Sequence, residues 1–392
     1  MSLTRLTPQR LIVRGVNWLG DAVMSTPALL RLRERFPHAQ IALLTPSKLA
    51  DLWRQHPAVD VVLPFVRGES PWRIGRRLRQ HNFEVGLLFP NSPRSALELW
   101  CARIPVRIGY RRPWRTWWLT HPVAPRADEV KMHKRAKAEI TRLLAAPAVD
   151  DQPGGAGIAP ASSDPPPIAA SLLSAAHHLH LYLELVHALG ARRDPLPPLL
   201  RLSAAEQAAA PDLLERFGVT RDATVATRWF GLNPGAEYGP AKRWPAERFI
   251  AVAKEVQARI GCRWLVFGGA LDRPLAETIV QAVPGAVNLA GRTSLRELLQ
   301  LLGVCRLLLT NDTGPAHVAA ALGVSVVALF GSTSPELTAP GLPGDPRHRI
   351  LRAPPPCAPC FRRECPVDLR CLRALEPAGV ARTVLEMQAA VR

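Results

Sequence analysis

Three short stretches carry residues that can do chemistry. Residues 306–331, RLLLTNDTGPAHVAAALGVSVVALFG, hold Asp312, Thr313, Gly314 and His317 between two apolar runs. Asp312 or Thr313 can cap a following helix, Gly314 lets the backbone turn, and Pro315 suits a first helical turn. Such a turn aims free backbone N–H groups and a positive dipole end beyond the strand, where an anionic phosphate is the natural guest. His317 falls one turn into the helix, within reach of the same site. A well-capped crossover helix with a surface histidine is the plain alternative. Near the N-terminus, GVNWLGD puts Gly20 and Asp21 where a loop becomes a helix. Gly20 admits a ligand close to the backbone, and Asp21 either offers a carboxylate for chemistry or only caps the helix. A third loop, LNPGAEYGPAKRWP, carries Gly235, Gly239 and Lys242 and ends where Pro245 starts a helix.

Four of the seven cysteines, Cys357, Cys360, Cys365 and Cys371, follow the spacing C-x2-C-x4-C-x5-C. In a reducing compartment such clustering suggests a structural zinc site; buried free thiols or adventitious disulfides are the alternatives. Cys101, Cys262 and Cys305 are isolated and read as core thiols.

These stretches need strands and helices to position them, and the pattern supplies both. Residues 11–14, 40–45, 59–64 and 85–89 are short apolar runs, with a helix over 22–36 and a basic helix around 72–79. A second series repeats the alternation: strands over 225–232, 263–267, 306–310 and 324–330, helices over 204–217 and 294–302, the latter opened by Ser294 and Glu297 at capping-box spacing. Two sets of alternating β and α elements imply two α/β domains with parallel sheets, and glycine loops at strand carboxyl ends are where such sheets bind ligands. Residues 147–174 are rich in Pro, Gly, Ala and Ser and read as a flexible insertion. A helix over 175–189 follows, and 192–198 reads as a linker. The last helix repeats Val380, Val384, Met387 and Val391 on one face, which must pack on something.

The chain has 392 residues, 47% hydrophobic, with a formal net charge of +18. No run of 18 uncharged apolar residues exists, so no membrane span is expected, and the basic N-terminus is no secretory signal; the expected location is the cytoplasm. Residues 101–142 hold eleven Lys/Arg against three Asp/Glu, with tryptophans interleaved in RIGYRRPWRTWWLT. Arg with Trp can bind phosphates, sugar rings, a headgroup layer or nucleobases, or form a solvated basic face over core tryptophans.

Taken together, IVRGVNWLGDAVMSTPALLRLRERFP, LNPGAEYGPAKRWP, TNDTGPAHVAAALGVSVVALFGSTSPE and CAPCFRRECP resemble the ADP-heptose:lipopolysaccharide heptosyltransferases, glycosyltransferase family 9. The GSTSPE segment and the tail of the Lys242 loop favour the members that act second in inner-core assembly. The resemblance implies a GT-B fold: two Rossmann-like domains facing a cleft, residues 1–190 taking the acceptor and 199–372 the ADP-sugar, with a helix over 373–392 packing back on the first domain. It implies transfer of heptose from ADP-L-glycero-D-manno-heptose onto heptosyl-Kdo-lipid A, with inversion. It makes Asp21 the catalytic base and Lys242 the contact to the donor diphosphate, and it gives donor phosphate and heptose to Gly235, Asp312, Thr313, Gly314 and His317. The carboxylate that the family uses for the donor ribose has no clear counterpart, Asp272 being the candidate beside Gly268-Gly269.

General chemistry agrees with these roles. Inverting transfer needs one base for the acceptor hydroxyl proton, and charge building on the leaving diphosphate calls for a fixed cation and helix amides. No Asp-x-Asp dyad lies beside the loops, so no cofactor is expected for the chemistry. The expected partners are ADP-heptose, a phosphorylated lipid A-core acceptor and the inner face of the cytoplasmic membrane, with peripheral attachment and no nucleic acid. The competing readings are a first-step or other nucleotide-sugar transferase, a catalytically silent sugar-nucleotide-binding module, and a basic nucleic-acid-binding protein.

Overall fold

The computed structural model describes residues 3–127, 129–130, 132–145, 176–220 and 228–390. The insertion expected over 147–174 lies outside them. The chain divides into two compact units, one of residues 1–129 and 175–206, the other of 130–174 and 207–392.

The first unit is built on six parallel strands: β1 (Arg10–Arg14), β2 (Gln40–Pro46), β3 (Val61–Phe65), β4 (Val85–Leu88), β5 (Val106–Tyr110) and β6 (His121–Val123). Their spatial order is β3-β2-β1-β4-β5-β6, so the winding reverses beside β1. Leu11 pairs with Ile41 on one side and Val85 on the other. Helices cover both faces of such a sheet, which is why Leu11, Ile12 and Val13 are all buried without alternation.

The second unit repeats the topology with β7 (Trp229–Asn233), β8 (Arg263–Val266), β9 (Val287–Asn288), β10 (Leu307–Asn311), β11 (Ser325–Phe330) and β12 (His348–Arg352), ordered β12-β11-β10-β7-β8-β9. The reversal falls between β7 and β10, where Leu309 pairs with Leu232 and, across the strand, with Val327. Both sheets thus carry the doubly wound order, whose ligand crevice lies at the carboxyl ends of the strands flanking the reversal. The capping box appears as expected on the helix Leu295–Gly303: Glu297 N–H donates to Ser294 Oγ at 3.3 Å and Ser294 N–H to the Glu297 carboxylate at 2.7 Å.

Three boundaries differ from the expectation. Residues 130–145 belong with the second unit, where Ile140 packs on Cys357 and Cys360. The stretch read as a linker, 192–198, is strapped to the first unit: the buried Arg31 side chain donates through Nε to the Asp194 carbonyl at 2.9 Å and pairs with its carboxylate. The last helix, Pro377–Ala390, spends its apolar face inside the second unit rather than on the first. Val380, Val384 and Met387 join the core that Phe249, Val252 and Val256 line from the helix Ala246–Ile260. Burying side chains of this size is worth about 1.5–3 kcal/mol each, so the helix is an integral part of that unit.

Candidate functional site

The carboxyl ends of β7 and β10 bring the second-unit residues together. Asn233 closes β7 and Asn311 closes β10, both buried. Asn311 Nδ2 donates to the Pro234 carbonyl at 2.7 Å, and its Oδ1 accepts the Trp244 N–H at 3.1 Å. One side chain therefore ties both ends of the Lys242 loop to the neighbouring strand. Asn233 Nδ2 reaches Thr313 Oγ1 at 3.1 Å and Thr310 Oγ1 at 3.3 Å, fixing the start of the helix Gly314–Ala321. Sequence reasoning quoted both asparagines inside motifs without giving them a role; an amide ending an apolar strand run was the available signal.

Asp312 does not cap that helix. Its carboxylate sits 2.5 Å from Lys242 Nζ and accepts from Thr333 Oγ1 at 2.6 Å. Thr313 occupies the N-cap position with extended backbone and no side-chain capping bond. The helix start therefore keeps amide donors for a ligand, with Lys242 beside them. His317 is buried one turn further in, so it is no surface histidine. Lys242 Nζ also lies 5.0 Å from the centre of the Tyr238 ring, whose hydroxyl donates to the Phe361 carbonyl at 2.7 Å.

Gly235 has a definable packing reason. A Cβ there would fall 2.3 Å from Cγ of Asp272, so the bare backbone makes room for that carboxylate. Asp272 accepts the Gly269 N–H at 3.0 Å and pairs with Arg243 at 3.2 Å. The carboxylate beyond β8 is thus held at the same edge of the sheet as the Lys242 loop.

The four cysteines converge. Cys357, Cys360, Cys365 and Cys371 line one small enclosed cavity together with Ile140 and Ala241, and all four are free thiols. Burial, reinforced by the other three sulfurs, pushes the Cys371 thiol up to about 12. The structure does not support the structural zinc. Among the described residues no group of three or more His, Cys, Asp or Glu is placed to hold a metal ion. What the segment does is brace the Lys242 loop. Ala241 N–H donates to the Arg363 carbonyl at 2.9 Å, and Cys360 and Phe361 N–H groups donate to the Ser332 carbonyl at 3.1 and 2.7 Å. Gly239 (φ +152) lies so close to the Arg363 carbonyl that a Cβ would stand 2.5 Å from its oxygen.

In the first unit, Asp21 lies in the first turn of the helix Leu19–Met24, whose N-cap is Trp18, so Asp21 is not the cap. Its carboxylate acts on the buried Tyr182 phenol, which burial, the Asp21 charge and Tyr110 together hold well above the ordinary tyrosine value. The loop before Asp21 is anchored by Arg14 at the end of β1. Buried Arg14 pairs with buried Glu98 at 2.8 Å and donates to the Gly15 carbonyl and, at 3.0 Å, to Asn17 Oδ1.

Two doubly wound units, the second carrying a lysine beside a helix start at its reversal point, have the architecture of the GT-B glycosyltransferases. Residues 172–370 match glycosyltransferase family 9 (heptosyltransferase), and the chain belongs to that family. It is 31% identical to lipooligosaccharide heptosyltransferase 2 of Campylobacter jejuni serotype O:6, over 96% of this chain and 99% of the relative. It is 29% identical to lipopolysaccharide heptosyltransferase 2 of Escherichia coli, over 84% of this chain and 85% of that one. The solved structure of E. coli ADP-heptose lps heptosyltransferase II matches with a TM-score of 0.70 and 25% identity, covering 96% of this chain and 98% of that chain.

Proposed function

We propose that the protein transfers heptose from ADP-L-glycero-D-manno-heptose to the heptosyl-Kdo-lipid A inner core of lipopolysaccharide, inverting the anomeric centre. The observation that carries the reading is the Lys242–Asp312–Thr333 group beside the open start of the helix Gly314–Ala321. A diphosphate gains charge as the anomeric carbon leaves it, and a fixed ammonium with helix amides stabilises that charge most in the transition state. Thr313 and Gly314 present the amides, Lys242 the charge, and His317 and the Gly235 backbone serve the remainder of the donor. Asp272, held by Arg243 and Gly269, is the carboxylate for the donor ribose.

Asp21 takes the acceptor hydroxyl proton as the new bond forms. Its position in a helical first turn, reached through a loop that Arg14 fixes, supports that role. The chemistry calls for no cofactor. A lipid-borne acceptor fits an enzyme that works in the cytoplasm, peripheral on the inner face of the membrane; no described helix is long and apolar enough to cross one.

The test is mass-spectrometric transfer from ADP-heptose to mono-heptosylated Kdo-lipid A, with Asp21→Asn in parallel. We expect a gain of one heptose, reduced about a thousandfold in the variant while ADP binding persists. Transfer only to the unheptosylated core would move the enzyme one step earlier. No transfer to either acceptor, with salt-sensitive RNA binding, would overturn the reading.

A further inference from the structure

The segment between β5 and β6 exposes what soluble surfaces normally hide. Trp114 is 75% and Trp117 81% exposed, their rings edge to face at 6.4 Å. Trp114 also takes a left-handed backbone (φ 61), a conformation that bulky residues avoid. A segment that strains its backbone to present an aromatic ring to solvent has a use for the ring.

The loop itself is firmly held. Arg115, fully buried, donates through Nη1 to the Pro90 carbonyl at 2.9 Å and to Asn91 Oδ1 at 3.0 Å. Arg107 Nε donates to the Trp118 carbonyl at 2.6 Å, and Thr116 Oγ1 to the Arg112 carbonyl at 2.9 Å. The helix Pro93–Cys101 contacts both the turn Thr116–Trp118 and the helix Pro71–Arg79. Those two helices add a second exposed aromatic pair, Trp72 and Trp100, with ring centres 6.0 Å apart.

Charge selects the occupant. No Asp or Glu occurs between Glu98 and Asp128. Arg111 flanks the Trp114–Trp117 pair, Arg73 and Arg76 flank Trp72, and all three are exposed. Tryptophan rings favour the boundary between headgroups and acyl chains, and each basic side chain near an anionic membrane raises partitioning about fivefold. A nucleobase platform would need rings lining a basic groove. Here the two most exposed rings protrude, while two of the nearest cations are committed: Arg115 is buried and Arg112 is paired with Glu129.

We propose that the Trp114–Trp117 loop, flanked by Trp72 and Trp100, is an interfacial anchor that seats the first unit on an anionic lipid bilayer. This deepens the reading of a lipid-borne acceptor and rests on it for its purpose, though not for its test.

The experiment is co-sedimentation of the full chain with phosphatidylethanolamine–phosphatidylglycerol vesicles, against phosphatidylcholine vesicles and against single-stranded RNA. Wild type should prefer the anionic vesicles, and Trp114→Ala/Trp117→Ala should bind them about tenfold less. Trp114→Gly relieves the backbone strain, so it should keep or raise the melting temperature while weakening vesicle binding. Both variants should transfer heptose to a delipidated core acceptor at the wild-type rate. Unchanged vesicle binding in the double variant overturns the anchor, as does loss of RNA binding with vesicle binding intact. Absence of transfer to any acceptor, with Trp-dependent vesicle binding, would sink the proposed activity and leave the anchor standing.

Discussion

Lys242 Nζ lies 2.5 Å from Asp312 Oδ2 and 3.3 Å from the Asp312 carbonyl oxygen, joining the loop after β7 to the end of β10. The pair is largely buried, with side-chain exposures of 13% and 5%. It closes the reversal point of the sheet from both sides. A diphosphate bound there would share the ammonium with Asp312 rather than find it unopposed.

That arrangement separates the structural and binding roles of the lysine. Lys242→Met leaves the Asp312 carboxylate with Thr333 and no cation, and should cost about 3 kcal/mol in urea unfolding. Lys242→Met/Asp312→Asn removes the stranded charge and should recover at least half of that loss. ADP affinity, read by calorimetry, should fall about tenfold or more in both variants. Recovery of ADP binding in the double variant would mean that Lys242 only holds Asp312.

Gly235 gives a sharper steric test. Gly235→Ala forces a methyl against the Asp272 carboxylate, which Gly269 and Arg243 hold from the other side. Overpacking of this kind costs about 1–3 kcal/mol. Pairing it with Asp272→Ser shortens the obstructing side chain and should restore most of the stability, though not ADP affinity if Asp272 serves the ribose. Thermal melts with and without ADP would read both effects.

Eight of the twelve described strands could be read from the chain because parallel strands are buried on both faces; β5, β6, β9 and β12, which are short or only partly buried, could not. Apolar runs such as Leu11–Ile12–Val13 and Val326–Val327–Ala328 leave little else to be. The turn at Gly314 was legible for the same local reasons. The site's second layer was not. Asp312 and Thr313 look like caps until Lys242, seventy residues away, claims the carboxylate, and no local pattern announces such a pairing. Spacing drew the four cysteines together correctly but suggested a metal where the fold uses the segment to brace the Lys242 loop. Residues 130–145 were assigned to the wrong unit because contiguity in sequence was the sole guide; Ile140 finds its core at Cys357 and Cys360. The stripe on the last helix was legible as apolar, and its partner was not, since Val252 and Val256 offer as good a surface as any in the first unit.

Arg14 and Glu98 test how the first unit holds the proposed base. Burial lowers the Arg14 pKa and Glu98 opposes this, so removing the carboxylate strands a guanidinium in the core. Glu98→Ala should destabilise by about 3–5 kcal/mol. Because Arg14 also fixes Asn17, four residues before Asp21, the folded fraction should lose about tenfold or more in kcat. ADP binding should be unchanged, since the proposed donor site is built from the second unit. Equal losses in kcat and ADP affinity would argue against a positioning role.

His348 and His56 set the acid limit of the fold. Burial pushes each imidazole down to about 4, against an ordinary value near 6.5. His348 is packed against Gly341, where a Cβ would stand 2.5 Å from its ring, and neither ring nitrogen has a hydrogen-bond partner. His56 accepts the Ala58 N–H on Nδ1 at 3.3 Å, leaving the proton on Nε2. Because the folded pKa lies below the unfolded one, the unfolded chain binds more protons between pH 6.5 and 4. The histidines' contribution to stability is therefore full above about pH 6.5, declines as pH falls through that window, and levels off below about 4. Each histidine should cost about 2 kcal/mol between pH 7 and pH 5, at about 1.4 kcal/mol per pH unit. The Asp345 carboxyl, held low chiefly by its hydrogen bond from Arg347, titrates below this window and leaves it unchanged. Urea unfolding at pH 7 and pH 5 checks the slope. His348→Gln should flatten it by one histidine's share, and an unchanged slope would mean that His348 is not buried neutral.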